Sequence, residues 1–177
     1  MVDWIEKLKE SGAQRAAVIA VSDIYFDESL IKLCEMNTCG NYNKCWTCPP
    51  LVGDTKRLIE KAKQYEKAAV FSCVYELEDS FDIEGMKRGS RQFQDIVQQV
   101  GARCRKSGED VLLLSAGGCR LCPVCGAVTG EACRFPDRAY PSLESHGIFV
   151  SRLAETAGMK YINGKNTVTY FGAVMYH

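Results

Sequence analysis

Residues 83–115 read IEGMKRGSRQFQDIVQQVGARCRKSGEDVLLLS, and the change of period inside this stretch decides the fold class. Met86, Ser90, Phe93, Val97, Val100 and Cys104 recur at alternating steps of four and three, so they form one stripe of a long helix from Ile83 to Lys106. Gly108 stops that helix. Asp110 to Ser115 follows as a short apolar run, the pattern of a strand covered on both faces. A helix that hands over to a buried strand within a few residues marks a layered α/β chain.

The flanking sequence repeats the alternation. Upstream, Lys67 to Leu77 and Ala16 to Ser22 read as strands, and Asp54 to Tyr65 reads as a helix with Leu58, Ile59, Ala62 and Tyr65 at helical spacing. Asp3 caps a first helix to Glu10, with Gly12 as its stop, and Asp27 caps a turn whose Leu30, Ile31 and Cys34 share a face. Downstream, Ser142 caps a helix carrying Leu143, Gly147, Val150, Leu153 and Ala157, ended by Gly158, and Thr167 to Tyr176 closes as a strand. The expectation is a single α/β domain over residues 1–177 with a mixed or mainly parallel sheet. Each half reads strand, cysteine loop ending in proline, helix, strand, first from Ala16 to Leu77 and then from Val111 to Tyr176. Right-handed crossovers on such a sheet would set both cysteine-rich loops at one edge of the strands.

Composition removes several function classes. The chain has 177 residues, 46% of them hydrophobic, with 22 Lys+Arg balancing 22 Asp+Glu. This is a globular composition without the basic tract that nucleic acid requires. Its longest apolar runs, Ala16 to Val21 and Val111 to Leu114, fall far short of the roughly 20 residues of a membrane span. The opening Met-Val-Asp-Trp-Ile-Glu is acidic and amphipathic, unlike a secretory signal, so a cytoplasmic location is expected. Neither G-x-G-x-x-G nor a P-loop occurs, and no feature points to an oligomeric state.

Ten cysteines are the abnormal number. In a reducing compartment thiols are not kept for disulfides, so they point to metal or redox chemistry. Cys119, Cys122 and Cys125 form an unbroken C-x2-C-x2-C run, followed after seven residues by Cys133 and then by Pro136. That run resembles the bacterial ferredoxin pattern, in which the chain wraps a cubane. Tetrahedral zinc more often takes two separated C-x-x-C pairs. The fourth cysteine is displaced from the ferredoxin spacing, which leaves open whether Cys133 closes the same cluster. The first loop carries Cys34, Cys39, Cys45 and Cys48, leads into Pro49-Pro50, and holds the turn formers Asn37, Asn41 and Asn43. A second four-ligand site fits this spacing, although Cys34, one turn after Leu30, also reads as a buried apolar thiol. Cys73, on a face with Phe71 and Tyr75, and Cys104, at the end of the helical stripe, read as core. The remaining eight make two sets of four. His146 and His177 stand at no metal-ligand spacing; His146 reads as a packing or surface residue.

At these residues the chain resembles a family of small prokaryotic proteins described as predicted metal-binding proteins, DUF2284. The resemblance spans nearly the whole chain. It rests on Cys39-Gly-Asn-Tyr-Asn-Lys-Cys-Trp-Thr-Cys48-Pro-Pro, and on the second loop from Cys119 through Cys133-Arg-Phe-Pro136 to Pro141-Ser-Leu-Glu144 and Gly147-Ile148. It implies metal binding without naming a reaction. Cys45 stands where the family pattern commonly has another residue, so the resemblance makes Cys34, Cys39 and Cys48 the firmer set.

Three functions follow as expectations. The first is a protein with two iron–sulfur clusters of the [4Fe–4S] type that moves electrons to or from a redox partner protein, with amides near Gly117, Gly118 and Gly126 donating to the sulfurs. The second is an enzyme with an open iron acting on a small or sulfur-containing substrate, where Glu131, Asp137, Arg138 and Glu144 lie near in sequence. The third is a binding module in which zinc only holds the loops.

Overall fold

A computed structural model describes residues 2–177. The elements in chain order are α1 (Trp4–Glu10), β1 (Arg15–Ala20), α2 (Ile31–Glu35), α3 (Thr55–Ala62), β2 (Lys67–Glu76), α4 (Ile83–Ser107), β3 (Leu112–Ser115), α5 (Val150–Thr156) and β4 (Thr167–Tyr176). Three helices start at aspartates whose carboxylates accept a backbone N–H of the first turn: Asp3 from Glu6 at 3.1 Å, Asp54 from Arg57 at 3.0 Å and Asp82 from Gly85 at 2.7 Å. Each such cap is worth about 1 kcal/mol. Gly108, in the left-handed region at φ 70°, ends the long α4.

The four strands form one sheet in the order β1-β2-β4-β3, and every neighbouring pair is antiparallel. This corrects the expected mixed or mainly parallel sheet. Strands that are apolar on both faces report cover on both faces, and antiparallel strands roofed by helices have the same need. Side chains alternate accordingly. Val70, Leu114, Phe171 and Met175 pack with Ala62 of α3 and Leu153 of α5, while Phe71, Leu113 and Val174 pack with Leu8 of α1 and with Phe93, Val97 and Val100 of α4.

The central pair fits by one missing side chain. Gly172 lies opposite Phe71, and a Cβ there would stand 2.4 Å from the Phe71 ring. The ring instead covers the glycine and stacks on Phe93 at 5.7 Å.

Antiparallel order also changes where the loops begin. Ala20, the last residue of β1, lies beside Lys67, which lies beside Tyr176, whereas β3 runs the other way and ends at Ser115 opposite Gly172. Because β1 and β3 are opposed, the parallel-crossover reason for a shared edge does not hold. The expected helix from Ser142 also differs. Ser142 bridges to Ser115, a single 3-10 turn spans Glu144–His146, and α5 begins only after Phe149. Gly147 breaks the run, with φ 65° and so little room that a Cβ would meet Ile59 at 2.7 Å and the Asp27 carbonyl at 2.8 Å. No helix among the described residues is long and apolar enough to cross a membrane.

Candidate metal centre

The second cysteine loop leaves β3 through Gly117, at φ 68°, and Gly118, where a Cβ would stand 2.9 Å from the Asn41 side chain of the first loop. Cys119, Cys122, Cys125 and Cys133 all line one narrow pocket. Its remaining wall comes partly from the first loop, through Trp46 and Thr47. Trp46 Nε1 donates to the Glu131 carbonyl at 3.0 Å. The Cys119 amide donates to Thr47 Oγ1 at 3.1 Å, and the Ser142 amide donates to the Thr47 carbonyl at 3.2 Å. Close backbone approach at Gly126, whose Cβ would meet the Glu131 and Ala132 carbonyls at 2.9 Å, folds the loop back toward Cys133.

Burial pushes the Cys119 thiol up to about 11 in the metal-free chain. Arg134 is the cation of this loop. A hydrogen bond to the Cys122 sulfur, followed by the Glu131 charge, holds its guanidinium further into the protonated range. The same side chain donates to the Val124 carbonyl at 3.0 Å and pairs with Glu131 at 2.6 Å.

The first loop divides its thiols. Cys34, at the end of α2, together with Cys39 and Cys48, lines a separate cavity of about 260 Å³ that also contains Tyr42, Gly117 and Glu144. Cys45 is absent from that lining. Its sulfur lies 3.2 Å from Thr47 Oγ1, and it faces a depression shared with Cys119, Cys122 and Cys125. A hydrogen bond from the Cys48 thiol brings Cys45 down, helped by Thr47 and the Cys119 amide, and the same bond with burial pushes Cys48 up. Burial, with the Glu144 charge next, pushes Cys34 up. Burial likewise pushes the Glu144 carboxyl up.

The other charged candidates from the sequence line neither cavity. Glu131, Asp137 and Arg138 are exposed, with Arg138 bonded to Gln98 Oε1 at 3.1 Å. Cys73 and Cys104 are buried in the core, where burial raises Cys104 to about 12. His146 is buried too, and its Nδ1 donates to the Ser142 carbonyl at 3.2 Å. Sequence reasoning missed Thr47, which ties the two loops. A threonine between two cysteines carries no signal of a partner 72 residues away. Glu144, named from the sequence as a charged residue for an open iron, lines the first-loop cavity.

Among the described residues, no three His, Cys, Asp or Glu side chains stand close enough together to hold one metal ion. The thiols ring their cavities instead. Soft donors gathered around two cavities on an antiparallel α/β scaffold define a cysteine-rich protein. The chain belongs to the DUF2284 family, described as predicted metal-binding protein, whose model matches residues 17–176. No curated protein and no solved structure matches it.

Proposed function

We propose that this chain is an iron–sulfur protein that holds two clusters of the [4Fe–4S] type on one α/β domain and exchanges electrons with a partner protein. The observation that carries the reading is that Cys119, Cys122, Cys125 and Cys133 all line one pocket. Four soft donors suit iron–sulfur or zinc. The unbroken C-x2-C-x2-C run of Cys119, Cys122 and Cys125 matches the ferredoxin-type wrap of a cubane better than the separated C-x-x-C pairs that tetrahedral zinc more often takes. Bound there, such a cluster supplies one-electron chemistry at a potential set by its surroundings.

The chain's own residues supply those surroundings. Trp46 forms part of the pocket wall and is tied to the second loop through the Glu131 carbonyl. Arg134 offsets negative charge at Cys122. The exposed Val124, Val128 and Phe135, at 57%, 53% and 41%, give this loop an apolar outer surface suited to a transient protein partner. All ten cysteines are free, which suits a reducing compartment such as the cytoplasm. A second reading, an enzyme that binds a small substrate at the first-loop centre, is favoured by the roomier cavity at Cys34, Cys39 and Cys48.

Anaerobic purification with iron, sulfide and zinc analysis, and a spectrum before and after dithionite, tests the reading. About eight iron and eight sulfide per chain, with visible absorption that bleaches on reduction, is the expected result. A colourless protein carrying only zinc overturns it.

A further inference from the structure

We propose that Glu144 is the fourth ligand of the first-loop centre, beside Cys34, Cys39 and Cys48, and that Cys45 stands outside that centre. The inference rests on the iron–sulfur reading above and assigns the ligands of its second site.

Four observations carry it. Glu144, Cys34, Cys39 and Cys48 line the same cavity of about 260 Å³, and Cys45 does not. The Glu144 Oε2 atom is buried and has no hydrogen-bond partner, and its carboxylate enters no ion pair among the described residues. A carboxylate oxygen withdrawn from water without a donor is costly, and coordination to a metal is one of the few ways to satisfy it.

The third observation is that the segment around Glu144 is tightly held. Leu143 and Ile148 are fully buried, the Ser142 amide is bonded to the Thr47 carbonyl at 3.2 Å, and the Asp27 amide is bonded to the Gly147 carbonyl at 2.8 Å. The carboxylate is therefore presented by a braced turn that ties the two loops together. The fourth concerns the cysteine it replaces. Cys45 touches the Cys48 thiol, yet it does not line the cavity; its sulfur lies 3.2 Å from Thr47 Oγ1 and faces the depression on the second-loop side.

The chemistry that follows differs between the two centres. A carboxylate is a harder ligand than a thiolate and holds iron less firmly. The first-loop centre would then carry one exchangeable position, at the iron held by Glu144. The second-loop centre, with four thiols, would have none.

The test compares the full-length wild type with Cys45→Ser, Glu144→Gln and Glu144→Cys, each reconstituted anaerobically with iron and sulfide. Iron per chain and the electron paramagnetic resonance spectrum are read before and after mild oxidation, and far-UV circular dichroism checks folding. The expected result is that Glu144→Gln loses one iron on oxidation and gains the signal of a three-iron cluster. Glu144→Cys should keep its iron, and Cys45→Ser should match the wild type. Loss of a whole cluster in Cys45→Ser, with Glu144→Gln indistinguishable from wild type, overturns the inference and leaves the two-cluster reading standing. Absence of iron from the wild type overturns both, and it is read before any variant is made. If Glu144→Gln fails to fold, the Cys45→Ser and Glu144→Cys arms still decide: one lost cluster in either one overturns the inference.

Discussion

The indole N–H of Trp46 donates to the carbonyl of Glu131 at 3.0 Å, across 85 positions of the chain. This bond fastens a side chain of the first cysteine loop into the wall of the pocket that the second loop's cysteines line. Trp46→Phe keeps most of the wall and loses a hydrogen bond worth about 1 kcal/mol. Trp46→Ala removes both. We expect the visible absorption of anaerobically purified Trp46→Ala to bleach in air several-fold faster than the wild type, with Trp46→Phe between them. Equal rates in all three proteins would show that Trp46 shields nothing.

Thr47 joins the loops through its hydroxyl, which accepts the Cys119 amide at 3.1 Å. Thr47→Val preserves shape but strands that amide in a half-buried place, at a cost of about 1–3 kcal/mol. Thr47→Ser keeps the acceptor and should lie much closer to wild type. Urea unfolding of the three metal-free proteins measures the difference.

Gly172 has no room for a methyl group under the Phe71 ring, only 2.4 Å from where its Cβ would stand. Gly172→Ala should destabilise by about 1–3 kcal/mol through forced displacement of the ring. Phe71→Leu removes the clash while creating its own loss of packing, so the double variant should be less unstable than the two single costs added together. Additive costs in a denaturant series would show that the strain lies elsewhere.

His146 couples folding to pH. Burial lowers its pKa from the ordinary 6.5 to about 4, with a small further push from Lys61. Between those values the unfolded chain binds the proton and the folded chain does not, so stability rises with pH and is lost as pH falls from about 6.5 toward 4. The full effect is about 3 kcal/mol. In His146→Asn this slope should flatten relative to wild type, measured by urea midpoints at pH 4.5, 5.5 and 7. An unchanged slope would assign the acid sensitivity to other groups.

Local signals carried most of the element pattern. The stripe from Met86 to Cys104 marked α4, which spans Ile83–Ser107, and Thr167 to Tyr176 matches β4. The capping aspartates Asp3 and Asp27 also act where the pattern placed them. The longer helix from Ser142 was not legible as it stands. Gly147 fits its spacing as an apolar position, yet Ile59 and the Asp27 carbonyl, both distant in sequence, hold it in a left-handed turn. The DUF2284 resemblance and its metal-binding description were likewise readable from the two cysteine loops, and the family match covers residues 17–176.

The sequence by itself determined the positions of the strands, the long helix and the caps at Asp3 and Asp27, because periodicity and capping act between residues a few positions apart. Only the tertiary structure decided the direction of the strands. Burial on both faces is the same for parallel and antiparallel pairs, so the apolar pattern holds no record of it. It also decided the company each thiol keeps. Cys45 and Cys48 touch each other, yet Cys45 also faces a depression of the second loop while Cys48 lines a cavity with Glu144, because side-chain direction there is set by packing between loops far apart in the chain.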